Sequence, residues 1–173
     1  TDAGTSTADQ RTSSYTFGVS KTVTTKSFAY DRSYKAGIMS SFCLPVAFTM
    51  SQLKEMGVAT VYEYKSLKVE TGKDTEVQFT EHDMNGTEDF TTTAGVPYIV
   101  KFSSDGSFSA TSSDEMSVSG RAGNSSDGVF IGNYGYTTLR NTDANNPTLF
   151  FYSASGSNYG KFVPAFSDDE GTH

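Results

Sequence analysis

The chain reads as an all-β protein, an antiparallel β-sandwich carrying one short helix near residues 50–56. Apolar residues recur with a period of two in about ten short stretches, and Gly, Asn, Asp and Pro clusters separate them. No alternation of strand and helix, the rhythm that builds parallel sheets, runs through the sequence. Phe (13) and Tyr (10) lead the apolar set while Trp is absent, which suits strands with aromatic inward faces rather than a helical bundle.

Residues 1–14 are dominated by Thr, Ser, Asp and Gly. Such a segment cannot offset its ordering entropy by burial, so it reads as a flexible N-terminal linker ahead of a single domain over 15–173. Alternation starts with Tyr15, Phe17, Val19 and Val23, then changes parity at Phe28 and Tyr30, as one bent strand or two consecutive ones would. Tyr34 ends that region. Lys35-Ala36-Gly37 then turns the chain into an apolar run, Ile38 to Leu44, stopped by Pro45, which has no ladder donor. Thr49 and Gln52 have capping-box spacing, Met50, Leu53 and Met56 recur at three-residue steps, and Gly57 suits the left-handed position that closes a helix.

Val58 to Tyr64 is apolar on both faces and predicts a central strand. Leu67 and Val69, the turn Thr71 to Asp74, and Val77 and Phe79 predict a hairpin with one wet face. Glu81 to Thr93 is polar and acidic and reads as a loop with Asn85-Gly86 as its turn. Val96 to Phe102 predicts a further strand, approached through Gly95 and Pro97. Ser103 to Gly128 is rich in Ser, Gly and Asp and predicts only short strands near Phe108 and Met116 to Val118. Val129 to Tyr134, Thr148 to Tyr152 and Lys161 to Phe166 complete the set.

The formal net charge is −7 and the 13 Lys and Arg residues are scattered singly. Phosphate-binding surfaces need concentrated positive charge, so nucleic acid and anionic membrane are poor partners. A lone cysteine, Cys43, excludes an internal disulfide, and its apolar neighbours predict a buried thiol. No apolar run approaches the roughly 20 residues that span a bilayer, so no membrane insertion is expected, and an exported form would have shed its leader.

The motif Arg32-x-Tyr34-Lys35-Ala36-Gly37 followed by Phe42-Cys43-Leu44-Pro45-Val46-Ala47-Phe48-Thr49-Met50-Ser51-Gln52-Leu53-Lys54 resembles the "RxFKAGxWNTLCLPFxLT" signature of a β-sandwich module found in secreted and surface proteins of the Bacteroidetes. Ala94 to Lys101 is similar to that module's "AGTPYLIK" segment, and Phe130 to Tyr134 to its "FxGxY" strand. Ile38 to Ser41 departs from the Trp-Asn-Thr of the signature but stays apolar at about the same steps. The module usually ends in an aromatic strand for which this chain, closing on Asp168 to His173, has no counterpart, so the resemblance implies a copy without its last strand. It also implies an extracellular or cell-surface location, and it carries over no catalytic residue.

Candidate chemistry is sparse. His82 with Glu81 and Asp83 reads more simply as a solvated triplet than as a catalytic or metal group. Asp83, Asn85, Glu88 and Asp89 supply hard oxygens around a Gly turn and are the candidate Ca2+ ligands, though without the spacing of a helix-loop-helix calcium loop; the plain reading is a polar loop and no cofactor. Tyr134, Tyr136 and Tyr159 are the candidate ligand-binding aromatics, able to stack on a sugar if they face outward from Gly-rich loops. The many carboxylates between Glu63 and Asp89 could hold a glycosidase pair only if two flanked a groove. The leading expectation is a non-enzymatic exported module for adhesion or assembly. Its partners would be other copies or other surface proteins, joined by strand pairing. A carbohydrate-binding module is the alternative, with glycans as partners, and a glycoside hydrolase comes third.

Overall fold

The structure, a computed structural model, describes residues 23–30, 32–72, 75–120, 122–125, 127–134, 149–151 and 157–164. Its elements are β1 (Val23–Ala29), β2 (Met39–Cys43), α1 (Met50–Glu55), β3 (Val58–Lys68), β4 (Glu76–Asp83), β5 (Pro97–Phe102), β6 (Ser109–Val118), β7 (Leu149–Phe151) and β8 (Phe162–Pro164). Every pairing between them is antiparallel, so the molecule is all-β with one short helix. The chain divides into two compact units, Ser14–Tyr134 and a second that includes β7 and β8. That division cuts a stretch, 15–173, which reads in sequence as one domain. The segment read as a linker, 1–14, and the chain beyond Pro164, where a missing strand was expected, lie outside the described residues.

In the larger unit β2-β5-β3-β4 form one sheet in that order and β1-β6 a two-stranded ribbon. Phe28, Met116 and Val118 of the ribbon pack against the core that lies on the inner face of the sheet. Phe108 is its hub: fully buried, it meets Phe42 at 4.6 Å, Tyr34 at 5.2 Å, Phe102 at 5.5 Å and Phe48 at 5.9 Å between ring centroids. Such offset and edge-on arrangements are the favoured geometries of aromatic pairs.

The helix forms as its spacing requires. Thr49 Oγ1 accepts from the Gln52 N–H at 3.3 Å, and Gln52 Oε1 accepts from the Thr49 N–H at 2.9 Å, so two orphan donors of the first turn are satisfied reciprocally. Gly57, at φ +85°, closes it. Leu53 is buried, and Met50 and Met56 pack against the core, which anchors a helix too short to persist alone.

Four expectations change. β3 runs unbroken to Lys68 with a register shift between Tyr64 and Ser66, so Leu67 continues the central strand instead of opening a separate arm. Glu81, His82 and Asp83 belong to β4, opposite Tyr62, Val61 and Thr60; cross-strand pairing overrides their polarity. Among the described residues Val129–Tyr134 makes one bridge, Ile131 to Asn124; the Val129 and Phe130 N–H groups go to the side chains of Asp127 and Ser125, and the Phe130 carbonyl and Gly132 N–H to the backbone of Ser125 and Gly123. The Ser-rich 109–118 segment is one long strand, paired with β1 over 109–111 and 116–118 on either side of an irregularity, a pairing its composition conceals.

Candidate functional site

Two features of the larger unit hold polar groups in defined geometry: the rim strand β4 and the segment 122–134, which lies on the outer face of the sheet. β4 ends the sheet among the described residues. The Met84 N–H donates to Ala59 O at 2.9 Å, and the register pairs His82 with Val61 and Thr80 with Glu63. Antiparallel strands turn alternate residues toward and away from the partner, so the amides of His82 and Thr80 face β3 while that of Glu81 faces outward. Glu76, Glu81 and Asp83 are exposed along this strand and make it acidic.

His82 occupies the inner face of β4, its side chain only 12% exposed. Nε2 lies 3.1 Å from Glu63 Oε2 on β3, and Nδ1 lies 3.3 Å from Glu88 Oε2 in the following loop. Phe90 stacks on the imidazole with centroids 3.9 Å apart and planes 17° apart. Phe90 in turn meets Tyr98 edge-on, and the Tyr98 hydroxyl accepts from the Thr93 N–H at 2.9 Å. Sequence reading grouped His82 with its neighbours Glu81 and Asp83. Strand alternation sends those two to the opposite face, and the carboxylates that meet the ring come from 19 residues before and 6 residues after it. Recognising that His82 lies in a strand, across from Val61, would have found Glu63 two residues along; nothing local marked Glu88.

The loop after β4 is set by Asp83, whose Oδ1 accepts from the Asn85 N–H at 2.9 Å and whose carbonyl accepts from the Gly86 N–H at 2.9 Å. This is an Asx turn. Met84 is buried beneath it. Of the candidate calcium ligands, Asp83 is therefore engaged with the turn and Glu88 with His82. No group of three or more His, Cys, Asp or Glu side chains placed to hold a metal occurs among the described residues.

On the outer face, Phe130 stacks on Tyr64 at 5.8 Å and meets Phe79 edge-on at 5.8 Å. Asp127 organises the approach: Oδ1 accepts from Ser125 Oγ at 2.5 Å and from the Val129 N–H at 3.0 Å, and Oδ2 accepts from the Tyr64 hydroxyl at 2.5 Å. These donors, Ser125 first and Tyr64 next, hold the Asp127 carboxyl below the usual carboxylate range. Burial and then the Asp127 carboxylate push the Tyr64 phenol up to about 12. Further along, Gly132 sits against Cys43 and Gly95; burial pushes the Cys43 thiol up to about 11, and it donates to Gly95 O at 3.1 Å.

Of the candidate sugar-stacking residues, Tyr134 is half-buried in this segment, its phenol hydrogen-bonded to Ser119 and raised by burial. Tyr159 is half-buried in the second unit, and Tyr136 lies outside the described residues. An open cleft of about 380 Å³ lies elsewhere, between α1 and the start of β6, lined by Gln52, Glu55, Met56, Ser107, Ser109 and Thr111. Sequence reading did not find it, because its hydroxyls come from the Ser-rich region that shows no apolar pattern. Compared with known proteins, the chain matches no family model, no curated protein and no solved structure.

Proposed function

We propose that this chain is a non-enzymatic binding module displayed outside the cell, and that it engages another protein by accepting an extended strand along β4. The observation that carries the reading is the rim position of this eight-residue strand, with the Glu81 amide turned away from β3. An exposed edge of backbone donors and acceptors is a template for a further strand. The exterior location rests on the resemblance to secreted and surface modules. The titratable side chains support a binding role: His82 is held between two glutamates, and Asp127 is taken up by Ser125, Tyr64 and Val129.

The acidity of β4 favours a neutral or basic strand over a second copy. A second β4 strand would bring three more carboxylates to an edge that already carries Glu76, Glu81 and Asp83, whereas a neutral or basic strand adds no such repulsion. The test is calorimetric titration with short extended peptides that alternate valine with lysine, threonine or glutamate. Binding of the lysine and threonine peptides, abolished by Glu81→Pro, is expected. Proline is tolerated where a rim strand's N–H faces solvent, and it obstructs a newcomer there. Equal binding to the proline variant, or no binding by any peptide, refutes the reading.

A further inference from the structure

The cleft between α1 and the start of β6 joins an open backbone edge to a carboxylate. The Tyr30 N–H donates to Phe108 O at 2.8 Å, and the register continues with Ala29 opposite Ser109, Phe28 opposite Ala110 and Ser27 opposite Thr111. Bonded and non-bonded pairs alternate along an antiparallel ladder, so the N–H and C=O groups of Ser109 and Thr111 turn away from β1. Contacts on both strands agree with this. The Ser109 N–H donates to Met56 Sδ on the α1 side at 3.1 Å, and Ser27, across from Thr111, bonds Thr25 Oγ1 through its N–H at 3.2 Å and its carbonyl at 2.6 Å. A thioether is a weak acceptor, and the Thr111 N–H has no partner among the described residues. We infer that this cleft is a binding site for a short extended peptide segment with a basic side chain: its main chain pairs with Thr111, and its cation meets the Glu55 carboxylate.

The length of the ligand follows from the edge. Regular pairing of this part of β6 covers 109–111 and resumes only at 116, and Met56 already stands against Ser109. A long strand therefore has no continuous edge to follow, and a few residues do. The cleft volume, about 380 Å³, agrees, lying near the lower end of the roughly 300–1,000 Å³ typical of small-ligand sites.

The chemistry of the lining sets the rest. Among the described residues around the cleft, Glu55 carries the only charge, and it makes no ion pair with another described residue, so it is available to a cation. Gln52 spends Oε1 on the Thr49 N–H, which leaves its NH2 to donate to a ligand carbonyl. The hydroxyls of Ser107, Ser109 and Thr111 can serve the same polar main chain. No aromatic ring is among these lining residues, so the stacking platform of a sugar site is missing. β4 contributes nothing to this lining, and the inference stands independently of whether β4 accepts a partner strand.

The test is titration of the whole nitrogen-labelled chain with an end-blocked Ala-Lys-Ala peptide, followed by amide NMR. Saturable shifts of the Ser109 and Thr111 amides are expected, and the analogue with uncharged norleucine in place of lysine should bind about threefold more weakly, the scale of one exposed ion pair. Glu55→Gln should erase that preference and keep the weaker binding. Thr111→Pro, a change that an outward-facing N–H on a rim strand tolerates, should abolish the saturable shift at Ser109. No saturable shift at Ser109 or Thr111, equal affinity for the two peptides in the native chain, or a lysine preference that survives Glu55→Gln overturns the inference. Shifts confined to β4 overturn it as well, while leaving strand addition at that rim intact.

Discussion

Replacing Gly132 by alanine tests how the 122–134 segment seats on the sheet. A Cβ at this position would stand 2.6 Å from Gly123 O, 2.7 Å from Cys43 Sγ and 3.2 Å from Gly95 O. Two of these are backbone oxygens and the third is a buried sulfur on β2, so none is a flexible tip that can swing aside. Overpacking of this kind costs about 1–3 kcal/mol, against a gain of about 0.4–1 kcal/mol from the reduced freedom of the unfolded chain. The net expectation is a loss of about 1–2 kcal/mol. Gly123→Ala is the control, because its Cβ would meet only Gly95 at 3.5 Å or more, ordinary contact; its stability should stay within about 0.5 kcal/mol of the parent. In a Cys43→Ala background the sulfur contact is gone while Gly123 O remains, so the double variant should be more stable than the two single losses summed. Urea unfolding followed by far-ultraviolet circular dichroism and by tyrosine fluorescence gives the values, since the chain has no Trp. A Gly132→Ala protein as stable as the parent, or one indistinguishable from Gly123→Ala, would refute the seating described.

Phe108→Ala should cost about 3–5 kcal/mol, because it empties the position where four other rings converge, and Phe108→Leu, which refills part of the volume, should cost distinctly less; urea midpoints of the pair decide it, and equal losses would contradict the cavity argument. The alkaline limb of stability is set by groups whose proton is held more tightly in the fold: burial raises Cys43 to about 11, and burial with Asp127 raises Tyr64 to about 12. Between their ordinary values, about 9 and about 10, and these raised ones, the unfolded chain has lost protons that the folded chain keeps. Stability from these groups is therefore complete below about pH 9 and falls as pH rises toward about 12, and Tyr64→Phe should flatten the upper part of that fall in denaturation midpoints measured along the series.

The local rules of the sequence were strong wherever a backbone position has a chemical signature. The capping box at Thr49 and Gln52, the closing Gly57 and the apolar runs of β2, β3 and β5 could all be read before any coordinate. What escaped was decided by pairing. Ser109 to Val118 carries almost no apolar alternation, yet β1 pairs with it over 109–111 and 116–118, and hydrogen bonding of the backbone does not depend on side-chain polarity. The acidic end of β4 escaped for the same reason. The His82 cluster was only half legible, since its residue type drew attention but its partners come from a neighbouring strand and a loop. Asp127, the organiser of the outer face, was passed over inside a Ser- and Gly-rich stretch, where Asp-Gly signals a turn and says nothing of a tyrosine 63 residues earlier.

Hydrogen exchange along β4, resolved at single amides, tests the central claim most directly. With the outer side of the strand open, the amides of Thr80 and His82 should be strongly protected by β3 while that of Glu81 between them exchanges as a surface amide. Addition of the valine–lysine peptide should then protect Glu81 selectively. A Glu81 amide already as protected as its neighbours in the free protein, or one that stays unprotected at saturating peptide, would contradict strand addition at this rim.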